Sequence, residues 1–190
     1  MVISENKVVI DPVKVARVCD WPTQENQTDV QAFIGFVNFY CCFIQDFSII
    51  ARSLFDLTRS DKTWNWDTKE QEAFERLKIA VTTALVLASP QDSEPFCIKA
   101  NSSDFTSRAV FSQRLPGEEK WHSVAFYSKF LSLVEWNYKI YDKEMVAIIC
   151  MLEEWRHFLE GAQHLVEIWM DHKNLEYFMM AKKLNRCQAH

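Results

Sequence analysis

The stretch Ser89–Pro95, SPQDSEP, separates two incompatible hydrophobic periods, and that break limits the possible folds more than any other feature of the chain. Two prolines, two acids and no large apolar side chain mark it as a linker. Upstream, apolar residues recur at helical spacing. In NQTDVQAFIGFVNFYCCFI they fall at positions 30, 33, 34, 37, 40, 43 and 44, and DFSIIARSLFDLTRS repeats the pattern over a shorter length. Asp11 before Pro12 is a helix start and Pro22 a stop, while Asp67 and Glu70 form a D-x-x-E variant of the capping box. Residues 1–90 therefore read as mostly helical, with the apolar stripes as packing faces. Downstream the pattern alternates. PFCIKANSS, SRAVFSQRL and KWHSVAFYSKF read as three strands, with the turn LPGEEK between the last two. A helical period runs from about Val134 to Phe158 and stops before Gly161. HLVEIWM is a fourth strand and HKNLEYFMMAKK a short helix. The order β-β-β-α-β-α implies an α/β fold, a mixed sheet with flanking helices.

Hydrophobic residues make up 48% of the 190 and charged residues 25%, with seven Trp, fourteen Phe and three Gly. That composition buries a core and argues against disorder. No apolar run approaches the roughly 20 residues that span a bilayer, and the N-terminal stretch lacks the pattern of a signal peptide. The expectation is an intracellular protein, in cytoplasm or nucleus, with no membrane partner. The six cysteines contain no C-x-x-C pair and read as free thiols. A net charge of -5 argues against a generally basic nucleic-acid binder, without excluding one whose basic residues are localised.

Two acids stand where chemistry could sit. Asp171 closes the fourth strand, and Glu144 lies one to two turns into the long helix, within YDKEMVAII. Two carboxylates brought to one sheet end would suit Mg²⁺, which prefers hard oxygen ligands and retains several waters. The residues alone leave other readings open. Glu144 also reads as a solvated helix residue or a partner of Lys143 or Lys139, and Asp171 as the N-cap of the helix that follows it. Lys173, Lys182, Lys183 and Arg186 are the one concentrated basic patch, readable as a nucleic-acid contact or as a solvated tail.

The segments DPVKVARVCDWPTQENQTDVQAFIGFVNFY, LASPQDSEPF, VAFYSK, YDKEMVAI, EEWRHFLEGAQH and DHKNLEYF together resemble the Pol polyprotein of gypsy-type LTR retrotransposons. The resemblance spans nearly the whole chain. It implies a reverse transcriptase C-terminal part over residues 1–88, comprising the palm end and a helical thumb-like connection, then a linker over 89–95. An RNase H-like domain follows over 96–190, truncated at its C-terminus. The upstream polymerase palm and fingers become a possible partner. The implied ancestral activities are RNA-directed DNA synthesis and cleavage of RNA in RNA–DNA hybrids. In that family two Mg²⁺ ions are held by a carboxylate cluster, one activating water and the other stabilising the leaving oxygen.

Glu144 and Asp171 match two positions of that cluster, but the first is occupied by Asn101, in IKANSSDF. A fourth carboxylate would lie beyond His190. Asn101 offers a carbonyl oxygen and no charge, so the expectation is a degenerate, inactive site and doubtful magnesium binding. The alternative is a non-catalytic module that binds nucleic acid or a polymerase. Asp104, three residues along, reads as a turn residue rather than a replacement ligand. Cys41 and Cys42 replace two arginines after NFY, and Arg108 stands where the second strand usually has a small Gly, which threatens close packing.

Overall fold

The computed structural model describes residues 1–4 and 6–170. Asp171, Lys173, Lys182, Lys183 and Arg186, together with the short helix expected around them, lie outside the described residues. The chain divides into two compact units, with the boundary between Ser89 and Pro90.

The first unit holds four helices, α1 (Pro12–Cys19), α2 (Gln27–Asn38), α3 (Phe47–Leu57) and α4 (Thr68–Thr82). Their starts obey the local signals. Asp11 accepts a hydrogen bond from the Val13 amide, Asn26 from the Asp29 amide, and Asp67 and Glu70 form a reciprocal capping box on α4. All seven apolar positions of the stripe from Val30 to Ile44 are buried, although α2 ends at Asn38 and the chain continues through a 3-10 turn at Cys41–Phe43. Phe33 packs against Trp21 and Phe74, with ring centroids 5.6 and 4.6 Å away, so α2 and α4 share one aromatic core.

This unit also contains a sheet that the helical reading missed. Strands β1 (Val2–Ser4), β2 (Lys7–Val9) and β3 (Leu87–Ala88) pair antiparallel in the order β1-β2-β3. Asn6, at φ 60°, makes the tight reversal between the first two, a conformation Asn tolerates better than most residues. Each strand is too short to show alternation, and β3 finds its partner some eighty residues upstream. Local periodicity carries no trace of such a pairing.

The second unit is built on β4 (Phe96–Ser102), β5 (Thr106–Arg114) and β6 (Trp121–Phe130), an antiparallel meander. After it come α5 (Ile140–Glu154), α6 (Arg156–Leu159) and β7 (Glu167–Met170). β7 pairs parallel to β4, with Cys97 opposite Glu167 and Ala100 opposite Met170, giving the order β6-β5-β4-β7 among the described residues. This is the mixed sheet with flanking helices that the sequence implied. The long helix is broken, however. A 3-10 turn at Glu135–Asn137 precedes it, and Trp155 separates α5 from α6. Trp155 is buried and stacks on Phe111 at 5.0 Å, and Phe158 stacks on the same ring at 5.8 Å. Phe96 lies 4.9 Å from Phe111, so the helices cover the sheet face that carries Phe96, Ile98 and Phe111.

The linker is fastened at its start to this second unit. Gln113 is fully buried; its amide donates to the carbonyls of Gln91 and Glu94 and accepts from the Gln91 amide at 2.8 Å. Asp92 O accepts from the Gln163 amide at 3.0 Å, and His164 Nε2 lies 3.0 Å from Ser93 O. Backbone groups that a free linker would leave to water are thus paired inside the fold.

Candidate active-site region at one end of the sheet

Three features meet where β4 ends. Asn101 is exposed on that strand, directly opposite Arg108 of β5 in the ladder. β7 runs parallel to β4 and its last described residue, Met170, pairs with Ala100, so the chain leaves β7 at the end of the sheet where Asn101 lies. The first turn of α5 reaches the same end. Lys143 Nζ sits 3.3 Å from Asp104 Oδ1 and 3.4 Å from Asp104 O, in the tight turn just beyond β4.

Glu144 is 4% exposed and follows Lys143 on α5, so it is not a solvated helix residue. Asp142, Lys143 and Glu144 are three consecutive charged residues, all buried. Charges removed from water need compensation inside the fold. Lys143 has Asp104, and Asp142 and Glu144 also have partners. The ion pair of Lys143 is made with Asp104. Asp104 lies outside the strand, as expected of a turn residue, and its carboxylate faces an ammonium.

Among the described residues this end of the sheet carries the Glu144 carboxylate on α5 and the neutral Asn101 amide on β4, with the Lys143 ammonium one residue from Glu144 on the same turn. No group of three or more His, Cys, Asp or Glu side chains among the described residues is placed to hold a metal ion. Arg108 is half-buried between Asn101 and Ser128 in the ladder, on the sheet face away from α5 and α6.

Residues 66–166, just over half of the chain, match the RNase H-like domain found in reverse transcriptase. The chain belongs to that family. The matched stretch starts just before α4 and so crosses the boundary between the two units of this RNase H-like chain. The Tf2-3 and Tf2-4 transposon polyproteins of Schizosaccharomyces pombe are each 32% identical to it over 173 residues, which is 91% of this chain and 13% of theirs. The chain thus spans about one eighth of the length of these relatives. Among solved structures, a foamy viral protease–reverse transcriptase dRH in complex with double-stranded DNA aligns with a TM-score of 0.77 at 17% identity, covering 93% of this chain and 31% of that one. The foamy viral protease–reverse transcriptase in complex with an RNA/DNA hybrid aligns at 0.74 and 16%, covering 95% and 25%. At such identities these likenesses establish the fold.

A second constellation of cations is dispersed along the chain and assembled only by the sheet. On the face away from α5, alternation along β4 aligns Cys97, Lys99 and Asn101, and the register adds Arg108 and Arg114 of β5, Trp121 of β6 and Trp169 of β7. Lys99 Nζ lies 4.7 Å from the centre of the Trp169 ring, and Arg114 Cζ 4.7 Å from that of Trp121. The two indoles meet edge to face at 6.2 Å. Burial pushes the Cys97 thiol up, Glu167 adds to the rise, and Lys99 and Arg114 oppose it, as expected where all three charges surround it. The signal existed in the sequence as period-two spacing of cations and tryptophans on separate strands, which only the register assembles.

Among the described residues no helix is long and apolar enough to cross a membrane.

Proposed function

We propose that this chain is a fragment of a gypsy-type retrotransposon Pol polyprotein, joining the end of a reverse transcriptase to an RNase H-like domain, and that it no longer cleaves RNA. The observation that carries the reading is the neutral amide of Asn101 at the place of the family's first carboxylate. The ancestral substrate is an RNA–DNA hybrid and the ancestral cofactor Mg²⁺. A carboxylate at that position supplies charge to the ions, whereas an amide supplies only a dipole. Each lost charge-assisted contact costs roughly 1.5–3 kcal/mol of binding. The ion pair between Lys143 and Asp104 supports the same reading, because it keeps the nearest spare carboxylate on a cation.

The test is cleavage of a labelled RNA–DNA hybrid in Mg²⁺ and in Mn²⁺ by the 190-residue chain beside Asn101→Asp. The unaltered chain is expected to leave the hybrid intact. Metal-dependent cleavage by it would overturn the proposal, and activity gained only by Asn101→Asp would locate the defect at that single side chain.

A second reading, a non-catalytic module that still holds nucleic acid or the polymerase palm and fingers, is favoured by the cations and tryptophans on the sheet face away from α5. The basic residues Lys173, Lys182, Lys183 and Arg186 would extend such a contact.

A further inference from the structure

We infer that the face of the four-stranded sheet opposite α5 is a binding surface for a single nucleic-acid strand, with bases over Trp121 and Trp169 and phosphates on Lys99 and Arg114. The inference rests on the nucleic-acid ancestry proposed above and gives that ancestry a surface of its own.

Charge complementarity selects the occupant. The chain carries a net charge of -5, yet this face gathers three cations, and Glu167, the acid beside them, accepts a hydrogen bond from Trp169 Nε1 at 3.0 Å. The Lys99 side chain is exposed, and a guanidinium stacked on an indole offers its terminal N–H groups to a phosphate oxygen even where, as in Arg114, Nε is buried. Trp169 is 45% exposed on an edge strand, a large aromatic surface presented to water. Unpaired bases stack on such rings whatever their sequence, whereas a duplex keeps its base faces inside its own stack. Cys97 and Ser112, which pair in the ladder between the two tryptophans, are buried, so the indoles form a roof over the sheet rather than loose side chains.

The surface also has a direction. A cleft of about 400 Å³, lined by Lys99, Ala100, Asn101, Trp169 and Met170, continues from the tryptophans to the end of β4. A strand lying across the roof would therefore lead to Asn101 and Arg108.

The experiment is fluorescence anisotropy of a labelled 12-nucleotide single strand, its duplex and an RNA–DNA hybrid with the full chain at several salt concentrations. Lys99→Gln/Arg114→Gln and Trp169→Leu are compared with the parent, and circular dichroism melting confirms folding. The double variant should weaken single-strand binding about tenfold or more and flatten the salt slope by about 1.4, or 0.7 per lost phosphate contact. Trp169→Leu should weaken it roughly 5- to 100-fold with the slope unchanged. If the parent binds the hybrid and the single strand but folded variants bind the strand equally well, the surface is wrong while the ancestral reading stands. Failure of the parent to bind the single strand would overturn the inference; failure to bind either ligand would also overturn the second reading, a nucleic-acid-holding module, while the fragment reading is decided by the cleavage test. If sedimentation shows a dimer that the double variant dissociates, the face joins two copies and the inference falls.

Discussion

The Lys143 ammonium lies 3.3 Å from Asp104 Oδ1, fastening the first turn of α5 to the turn between β4 and β5. The pair is lopsided. The Lys143 side chain is 6% exposed and that of Asp104 79%, so the cation depends on the acid more than the acid on the cation. Removing Asp104 leaves a buried charge with only a carbonyl, whereas removing Lys143 leaves a carboxylate that water can solvate. Asp104→Ala should therefore cost about 1–3 kcal/mol in urea denaturation. Lys143→Met should cost under about 1 kcal/mol. Equal losses would contradict this asymmetry.

Magnesium affinity should respond to position 101. By titration calorimetry, Asn101→Asp is expected to bind Mg²⁺ at least about tenfold more tightly than the parent, the lower bound for one recovered charge-assisted contact. The same change in an Asp104→Asn background should give the same gain, because Asp104 is engaged by Lys143. A gain that needs Asp104 would make that turn part of the ligand set.

Gln113 makes three hydrogen bonds to the backbone of residues 91 and 94 while fully buried. Gln113→Leu keeps the volume and strands those backbone groups, so a stability loss of about 1–3 kcal/mol is expected. Limited proteolysis should then cut within residues 89–95 faster than in the parent. Unchanged cleavage there would mean that the linker is held by Gln163 and His164 alone.

Ser132 and Glu135 cap the turn before α5 reciprocally: the Ser132 amide donates to Glu135 Oε2 and the Glu135 amide to Ser132 Oγ. Burial raises the Glu135 carboxyl, but hydrogen bonds from Ser132 and the charge of Lys129 outweigh it, leaving the group below its ordinary value. A lowered carboxyl stabilises the fold above its unfolded value and loses that contribution as pH falls through the folded value. Ser132→Ala should thus lower the melting temperature at pH 7 and do so less at pH 3. A penalty independent of pH would assign the loss to the Glu135 amide, which Ser132 Oγ caps whatever the charge of the carboxylate.

Much of this architecture was legible in the residues because the deciding forces are local. The stripe from Val30 to Ile44 and the Asp67–Glu70 cap act within a few residues, and both appear where the sequence put them. Phe96, Ile98 and Phe111 share the sheet face that packs under Trp155, which the spacing of apolar residues in these two segments already suggested. What escaped reading depends on distant partners. β3 exists because β2 offers it an edge, and the helix from Val134 breaks because Trp155 turns inward to Phe111. At the candidate site, the sequence singled out Glu144 and Asn101 as candidates but held no sign of the ion pair between Lys143 and Asp104, which joins residues 39 apart.

The parallel seam between β4 and β7 sets an order of assembly. The meander of β4, β5 and β6 closes through short turns, but Cys97 must wait for Glu167, seventy positions later, before the sheet gains its fourth member. Pairings across such separations form slowly, after nearby ones. On a ribosome the hairpins would emerge and settle first, leaving one flank of β4 bare until α5 has crossed over. During that interval the nascent chain would present its stickiest edge to the cell, making this seam the place where a chaperone has most to shield.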